Sequence, residues 1–252
     1  MTGLFPGQAA IVTGGASNIG RAIAIALATE GAEVTILDID GEGAGETVRR
    51  IEATGGVARA VVVDLAVQAE RIAVLRHYLA ERGPPQLVVH AANFRTTPDQ
   101  TFFSVTGDVW DRTLGVGLDA GFSLGRVLGA AMGQSGVQGR FLFLTSLHAE
   151  TPRNMPQYAA TKAGLTMVMK EMARALGPHG IRVNALAPGY VPAGAASTLP
   201  DRNIPMRRTG RAEEIAAMAV VLLSDRFSSY VTGTTVVVDG GLSLTNWIPS
   251  RA

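Results

Sequence analysis

The chain has 252 residues, 47% of them hydrophobic and 17% charged, a balance that supports a buried core and excludes a disordered chain. A net charge of +1 without any basic block leaves no footprint for nucleic acid, and the absence of cysteine excludes disulfides, thiol catalysis and thiolate metal sites. No apolar run reaches bilayer length and the opening residues M-T-G-L-F-P-G-Q lack a signal-peptide pattern, so a cytoplasmic protein without a membrane partner is expected.

Short β-type runs alternate with helical patterns along the chain. Strands are predicted at residues 9–12, 33–37, 60–63, 87–90, 141–145, 182–186 and 235–238. Most are short continuous apolar runs, as in strands buried on both faces. Between them, apolar residues recur every three or four positions: Val48 and Ile51; Ile72, Leu75 and Leu79; Leu165, Val168, Met169 and Met172; Ile215, Met218 and Leu222. No linker or repeat divides the chain. The alternation predicts one α/β domain over residues 1–252, an open, mostly parallel sheet with helices on both faces. Four scattered histidines, His77, His90, His148 and His179, have no metal-ligand spacing, so no metal is expected.

The first strand runs into T-G-G-A-S-N-I-G, Thr13 to Gly20, followed by a helical segment. Glycines at such a turn let the backbone close on a phosphate, whose charge is met by the N–H groups of the helix start. Gly14, Ser17, Asn18, Ile19 and Gly20 are therefore candidate cofactor contacts. The second strand leads to Asp38, placed to accept hydrogen bonds from the ribose hydroxyls of NAD and to repel a 2′-phosphate. Neither Ser17 nor Ile39 offers a cation to such a phosphate, so NAD is expected over NADP. Asp64 and Leu65 follow the third strand, where Asp64 is placed either to cap the next segment or to hydrogen-bond an adenine. After the fourth strand, Ala91 and Ala92 are small enough for backbone packed closely against a cofactor.

Ser146 follows the fifth predicted strand, and Tyr158 and Lys162 come next, at an i, i+4 spacing in a helical pattern. That spacing puts phenol and ammonium on one face, one turn apart. A free tyrosine titrates near about 10, and a cation within roughly 4–6 Å favours the phenolate. Reaching neutrality needs one close cation plus a second positive group. Tyr158 is thus a candidate general acid/base.

The motifs T-G-G-A-S-N-I-G, Asp38, Asp64-Leu65, Ser146, Tyr158-x-x-x-Lys162, I-R-V-N-A-L-A-P-G (Ile181 to Gly189) and V-D-G-G (Val238 to Gly241) stand in one order along the chain. In that order, and over essentially its whole length, the sequence resembles the short-chain dehydrogenases/reductases. The resemblance implies a doubly wound Rossmann-type fold with a seven-stranded parallel sheet, assembled as a homotetramer or homodimer. It implies an NAD-dependent interconversion of a small-molecule secondary alcohol and a ketone. Tyr158 would be the acid/base for the substrate oxygen, and Ser146 would orient that oxygen. Lys162 would bind the nicotinamide ribose and depress the Tyr158 pKa. Pro188, Gly189 and Val191 would lie against the nicotinamide end.

Four positions depart from the family pattern. Asn18 stands where glycine is usual; asparagine tolerates left-handed backbone, so the turn is expected to survive. His90-Ala91-Ala92-Asn93 replaces Asn-Asn-Ala-Gly, and a histidine at a buried strand end reads as a structural hydrogen-bonding residue. Gly117 replaces an asparagine whose carbonyl, as the family's relay is drawn, holds a water near the lysine; glycine keeps a carbonyl, so a weakened relay is expected. Ala193 replaces a threonine that contacts the nicotinamide amide, a loss of about 0.5–1.5 kcal/mol. These changes motivate a rival reading, a cofactor-binding member without catalysis that acts as a sensor or structural subunit. Intact Ser146, Tyr158 and Lys162 oppose it.

Gly117, Gly121, Gly125, Gly129 and Gly133 recur every four residues. In an α-helix each step overshoots a full turn by about 40°, so the stripe is expected to drift around its helix; close approach to a neighbouring helix, of this chain or of another subunit, explains part of it, and the alternative is the general glycine richness of the chain. A short lid is expected near residues 190–210, where Pro192, Gly194 and Pro200 oppose a long helix. Arg95, Thr96, His148, Asn154 and Tyr190 are expected to face the cleft and favour a polar substrate such as a sugar-like alcohol or hydroxy acid. Glu150 and Arg153 read as solvated loop residues. Trp247 and Ile248, near the end of the sequence, are expected to pack on a neighbouring subunit.

Overall fold

Apolar runs that alternate with helix-period segments resolve, in a computed structural model, into a layered α/β fold. It describes residues 3–94, 97, 99–192 and 203–244. The strands are β1 (Ala9–Thr13), β2 (Glu33–Asp38), β3 (Val57–Val62), β4 (Leu87–His90), β5 (Arg140–Leu144), β6 (Arg182–Pro188) and β7 (Thr235–Val238). They form one seven-stranded sheet in the order β3-β2-β1-β4-β5-β6-β7, and every pairing is parallel. The helices are α1 (Asn18–Thr29), α2 (Gly41–Glu52), α3 (Gln68–Arg82), α4 (107–135), α5 (Pro156–Leu176), α6 (Ala212–Leu223) and α7 (Asp225–Ser228). No helix among the described residues is long and apolar enough to cross a membrane.

Alternate residues of the central strands point to opposite faces, and both faces are covered. Ala10, Val12, Leu87, Val89, Leu142 and Leu144 pack with Ile23 of α1, Ile51 of α2 and Ile215 of α6. Ile11, Val88, Phe141 and Phe143 pack with Leu75 of α3, Leu124 of α4 and Leu165 of α5. Each such fully buried side chain contributes about 1.5–3 kcal/mol. The strand order reverses between β1 and β4, and the crevice beyond their carboxyl ends is where this topology holds ligands.

The third strand is Val57–Val62, starting three residues and ending one residue before the predicted 60–63. It lies at the sheet edge, none of its residues is fully buried, and Arg59 interrupts its apolar run to reach Thr35 Oγ1 and Glu81. A search for continuous apolar residues misses such a one-sided strand.

The glycine stripe is also corrected. It lies on α4, where the segments Gly115–Asp119 and Gly125–Gly129 are π-helical. Each π-bulge adds a residue to the α-helical count. From Gly117 to Gly133 a pure α-helix advances about 160° beyond whole turns, whereas two extra residues leave it about 40° short. The glycines therefore stay on one face, and that face meets α5 of the same chain. A Cβ would lie 2.4 Å from Thr161 Cγ2 at Gly117, 2.6 Å from Leu165 Cδ1 at Gly121, 2.3 Å from Met172 Cε at Gly125 and 2.9 Å from Leu176 Cδ1 at Gly129. The stripe lets α4 approach the helix that carries Tyr158 and Lys162. Gly125→Leu is expected to overpack this contact by about 1–3 kcal/mol, read as a lower denaturant midpoint, because the Met172 side chain packs directly on Gly125 and is partly buried against the core.

Arg95, Thr96, Ala193, Gly194, Pro200, Trp247 and Ile248 lie outside the described residues. Residues 193–202 of the segment expected to form a lid lie outside the described residues; at its margins the Gly210 N–H donates to the Tyr190 carbonyl at 3.0 Å.

Candidate active site

At the switch point, β1 passes into the glycine turn. Gly14 adopts φ +71°, and a Cβ there would sit 2.6 Å from the backbone N of Ala92, so the exits of β1 and β4 are in close contact. Gly20 is tighter still, with a Cβ position 2.0 Å from the Gly14 carbonyl oxygen. Asn18 has φ 42°, the left-handed conformation expected of it. Ser17 precedes α1 without a side-chain capping bond, which leaves the first N–H groups of the helix available to an anion. Asp38 is locked to this turn, with Oδ2 accepting the Ala16 N–H at 2.9 Å and Oδ1 the Asp40 N–H at 3.0 Å. Arg21, a nearby cation, donates to the Ala16 and Gly43 carbonyls and to Thr47 Oγ1.

A cavity of about 600 Å³ opens here. Its walls include Gly14, Ser17, Asn18, Ile19, Gly20, Asp38, Asp64, Leu65, Ala91, Ala92, Tyr158, Lys162, Pro188, Gly189 and Val191, all of the expected cofactor contacts, together with Ser146. Glycines crowded by backbone, a free helix start and a fixed carboxylate fit a dinucleotide. Phe94, Arg112 and Val116 line the same cavity and carry no local signal in the sequence. Arg112 Nη2 donates to Asp64 Oδ2 at 2.7 Å, and its guanidinium lies 5.6 Å from the centre of the Phe94 ring. Asp64 Oδ1 accepts the Ala66 N–H at 3.0 Å, an Asx turn that precedes α3 rather than a cap on it, since Val67 holds the N-cap position.

The expected catalytic residues gather where β5 ends. Ser146 caps the short 3-10 turn Leu147–Ala149, and its Oγ accepts the His148 N–H at 3.2 Å. Pro156, with φ suited to a first turn, opens α5, so Tyr158 stands at its start and shares a hydrogen bond with Ser146. Lys162 is one turn on and buried, with Nζ donating to the Leu144 carbonyl at 2.7 Å and lying 5.4 Å from the Tyr158 ring centre.

The electrostatics differ from expectation. Burial pushes the Tyr158 phenol up from its ordinary value, and the Ser146 hydrogen bond only partly opposes this. The depression expected from Lys162 is not found in the chain alone: its ammonium is committed to the Leu144 carbonyl, and burial sets the direction at the phenol. In the chain alone Tyr158 is a neutral acid. Lys162 itself is held at about 8, below the ordinary 10.5, by burial. An unfolded lysine thus keeps its proton between about 8 and 10.5 while the folded one loses it, so the folded state gains stability as pH rises through that window. The wild type is expected to gain on Lys162→Met over that range, by an amount on the order of a few kcal/mol, in denaturation curves taken at several pH values.

His90 is fully buried and binds on both sides of its ring. Nε2 lies 2.9 Å from the Gly117 carbonyl oxygen and Nδ1 lies 2.8 Å from Thr13 Oγ1. A carbonyl only accepts, so Nε2 carries the proton and Thr13 donates to Nδ1. Burial holds this imidazole at about 4, hence neutral, in line with the structural role expected. The Gly117 carbonyl thus accepts from His90, where a water near the lysine was expected. An asparagine at Gly117 would press its Cβ on Thr161, which explains the glycine by packing.

Among the expected substrate contacts, His148 packs on Tyr158, with ring centres 5.8 Å apart. Asn154 is exposed with φ 57°, and Tyr190 is half-buried beside Gly189. None of the three lines the cavity. Glu150 and Arg153 are exposed, as read from the sequence.

Comparison with known proteins adds an independent line. A family model described as Enoyl-(Acyl carrier protein) reductase matches residues 14–243. The chain is 32% identical to the (3R)-3-hydroxyacyl-CoA dehydrogenase of Mus musculus over 249 residues, 92% of this chain and 95% of that protein. It is similar to the crystal structure of a short-chain type dehydrogenase/reductase from Mycobacterium marinum, with TM-score 0.88 and 27% identity over 96% of this chain and 97% of that one. A structure from Beutenbergia cavernae with NADP bound at low occupancy matches with TM-score 0.85 and 33% identity, over 95% of this chain and 98% of that one.

Proposed function

The chain belongs to the short-chain dehydrogenase/reductase family of oxidoreductases, and on that footing we propose that it interconverts a secondary alcohol and a ketone with NAD as its dinucleotide. The observation that carries the reading is the convergence of Ser146, Tyr158 and Lys162 on one dinucleotide-sized cavity that also holds Asp38 and the glycine turn. The mouse relative is named for a 3-hydroxyacyl substrate, a secondary alcohol, which supports the same reaction class.

The nicotinamide supplies the hydride acceptor or donor. Ser146 accepts the His148 N–H and shares its other hydrogen bond with Tyr158, so a substrate oxygen entering between the two hydroxyls would take the Ser146 O–H in place of the phenol and be oriented by it. Tyr158 gives its proton to the ketone oxygen in reduction and takes the alcohol proton in oxidation. A raised phenol suits the first direction; in the second, an oxidised nicotinamide held by Lys162 would supply positive charge that favours the phenolate. Lys162 spends one donor on Leu144 and keeps two for ribose hydroxyls.

Preference for NAD rests on Asp38. Its carboxylate is fixed by two backbone N–H groups and would face a 2′-phosphate with like charge, and Arg21 is committed elsewhere. The wild type is expected to favour NAD, and Asp38→Ser to shift the NADP-to-NAD ratio of kcat/KM upward by about tenfold or more. Secondary alcohols assayed with each dinucleotide and followed by nicotinamide absorbance test both points; a wild type that prefers NADP contradicts the Asp38 argument. We expect the chain to act in the cytoplasm as a homodimer or homotetramer. Phe122 on α4 and Met167 on α5, 50% and 56% exposed, support a partner copy.

A further inference from the structure

Asp64 and Arg112 line the dinucleotide cavity together, and the ion pair between them has no part in the reaction as derived. The cavity follows the strand order β3-β2-β1-β4-β5: Asp64 and Leu65 come after β3, Asp38 ends β2, the glycine turn follows β1 and Ser146 follows β5. With phosphates at the turn, ribose hydroxyls on Asp38 and the reacting end at Tyr158, the base falls past Asp38, against Asp64. The Asp64 carboxylate is already engaged on both oxygens. Oδ1 is turned back on the Ala66 N–H at 3.0 Å, and Oδ2 accepts from Arg112 Nη2 at 2.7 Å. The guanidinium also lies 5.6 Å from the centre of the Phe94 ring, which lines the same cavity. Among the described residues Asp64 is the only hydrogen-bond partner of Arg112, so its other N–H groups stay available. The side chains are 39% and 20% exposed for Arg112 and Asp64, which leaves the pair open to a ligand.

We propose that Arg112 determines which purine the base end of the cavity accepts: by neutralising Asp64 and adding donors, it lets a 6-oxo base bind as well as adenine. Adenine offers an amino donor at position 6, whereas hypoxanthine offers an oxygen there. A lone carboxylate would take the amino group and repel the oxygen. With the guanidinium 2.7 Å away, the Asp64 charge is compensated, so it neither demands the donor nor rejects the oxygen. The remaining Arg112 N–H groups donate to the 6-oxygen of hypoxanthine or to a ring nitrogen of either base. Removing either member of the pair therefore moves base preference in opposite directions.

The inference rests on the reading of NAD as the dinucleotide and is tested by binding, apart from turnover. NADH and its analogue with hypoxanthine in place of adenine are titrated by nicotinamide fluorescence into wild type, Arg112→Met and Asp64→Ala. The wild type is expected to bind the two with Kd values within about threefold of each other. Arg112→Met leaves the carboxylate alone and is expected to favour NADH by about tenfold or more, while Asp64→Ala leaves the guanidinium alone and is expected to favour the hypoxanthine form by about threefold or more. A pair with a merely structural role would weaken both dinucleotides alike and leave the ratio where it was. A wild type that favours NADH by more than threefold overturns the inference while the NAD reading stands, and this holds even where a variant fails to fold. So does a ratio unmoved in a variant that still binds NADH. A wild type that binds neither dinucleotide overturns both.

Discussion

Tyr158→Phe is expected to lower kcat by about 10³–10⁴-fold while leaving the affinity for NADH within about twofold. The substitution removes one hydroxyl and keeps the ring that packs against His148. Lys162 keeps its bond to the Leu144 carbonyl, and the glycine turn and Asp38 are untouched. On the proposed mechanism, what disappears is the proton donor and acceptor for the substrate oxygen. Steady-state kinetics paired with a fluorescence titration of NADH separate the two effects. Residual turnover within tenfold of wild type would show that another group moves the proton.

The second large effect is expected at Gly20. A Cβ there falls 2.0 Å from the Gly14 carbonyl oxygen and 2.7 Å from its carbon, both backbone atoms that no rotamer change can move. Gly20→Ala must open the turn or displace the start of α1. The expected cost is about 3 kcal/mol or more, with dinucleotide binding lost because the helix start no longer meets the phosphates. Denaturation and NADH titration read the two consequences. Gly45→Ala is the control: it lies in α2, and its Cβ would have only Arg49 Nη1 nearby, at 3.6 Å. That change is expected to stabilise by about 0.5–1 kcal/mol.

The parts of the site that sequence makes legible are those whose partners sit at fixed local offsets. Tyr158 and Lys162 share a helix face by spacing alone. The glycine turn announces itself by its glycines between the first strand and the first helical segment, and Asp38 follows from its place after the second strand. All fifteen expected cofactor contacts line one cavity because parallel strands deliver their carboxyl ends to the same edge. Long-range pairings leave no such trace. Arg112 reaches Asp64 across 48 positions, and His90 reaches Gly117 across 27. The direction of the Tyr158 shift depends on burial, which i, i+4 spacing does not encode. The glycine stripe was visible, but its partner was not, because the π-helical turns that keep it on one face have no apolar signature. The edge strand β3 was displaced for a related reason, since a half-exposed strand has no continuous apolar run to read.

The central claim is that this chain moves hydride between a bound nicotinamide and a carbonyl carbon, with Tyr158 handling the proton. Its most direct test is single-turnover mixing of the NADH-loaded wild type with a panel of ketones, α-hydroxy ketones included, while nicotinamide absorbance is followed. The expected result is a decay of the reduced-nicotinamide signal with at least one ketone in wild type and none in Tyr158→Phe loaded to the same extent. If NADH binds and its signal persists against every ketone, the chain is a binding-only member of its family and the catalytic account is wrong.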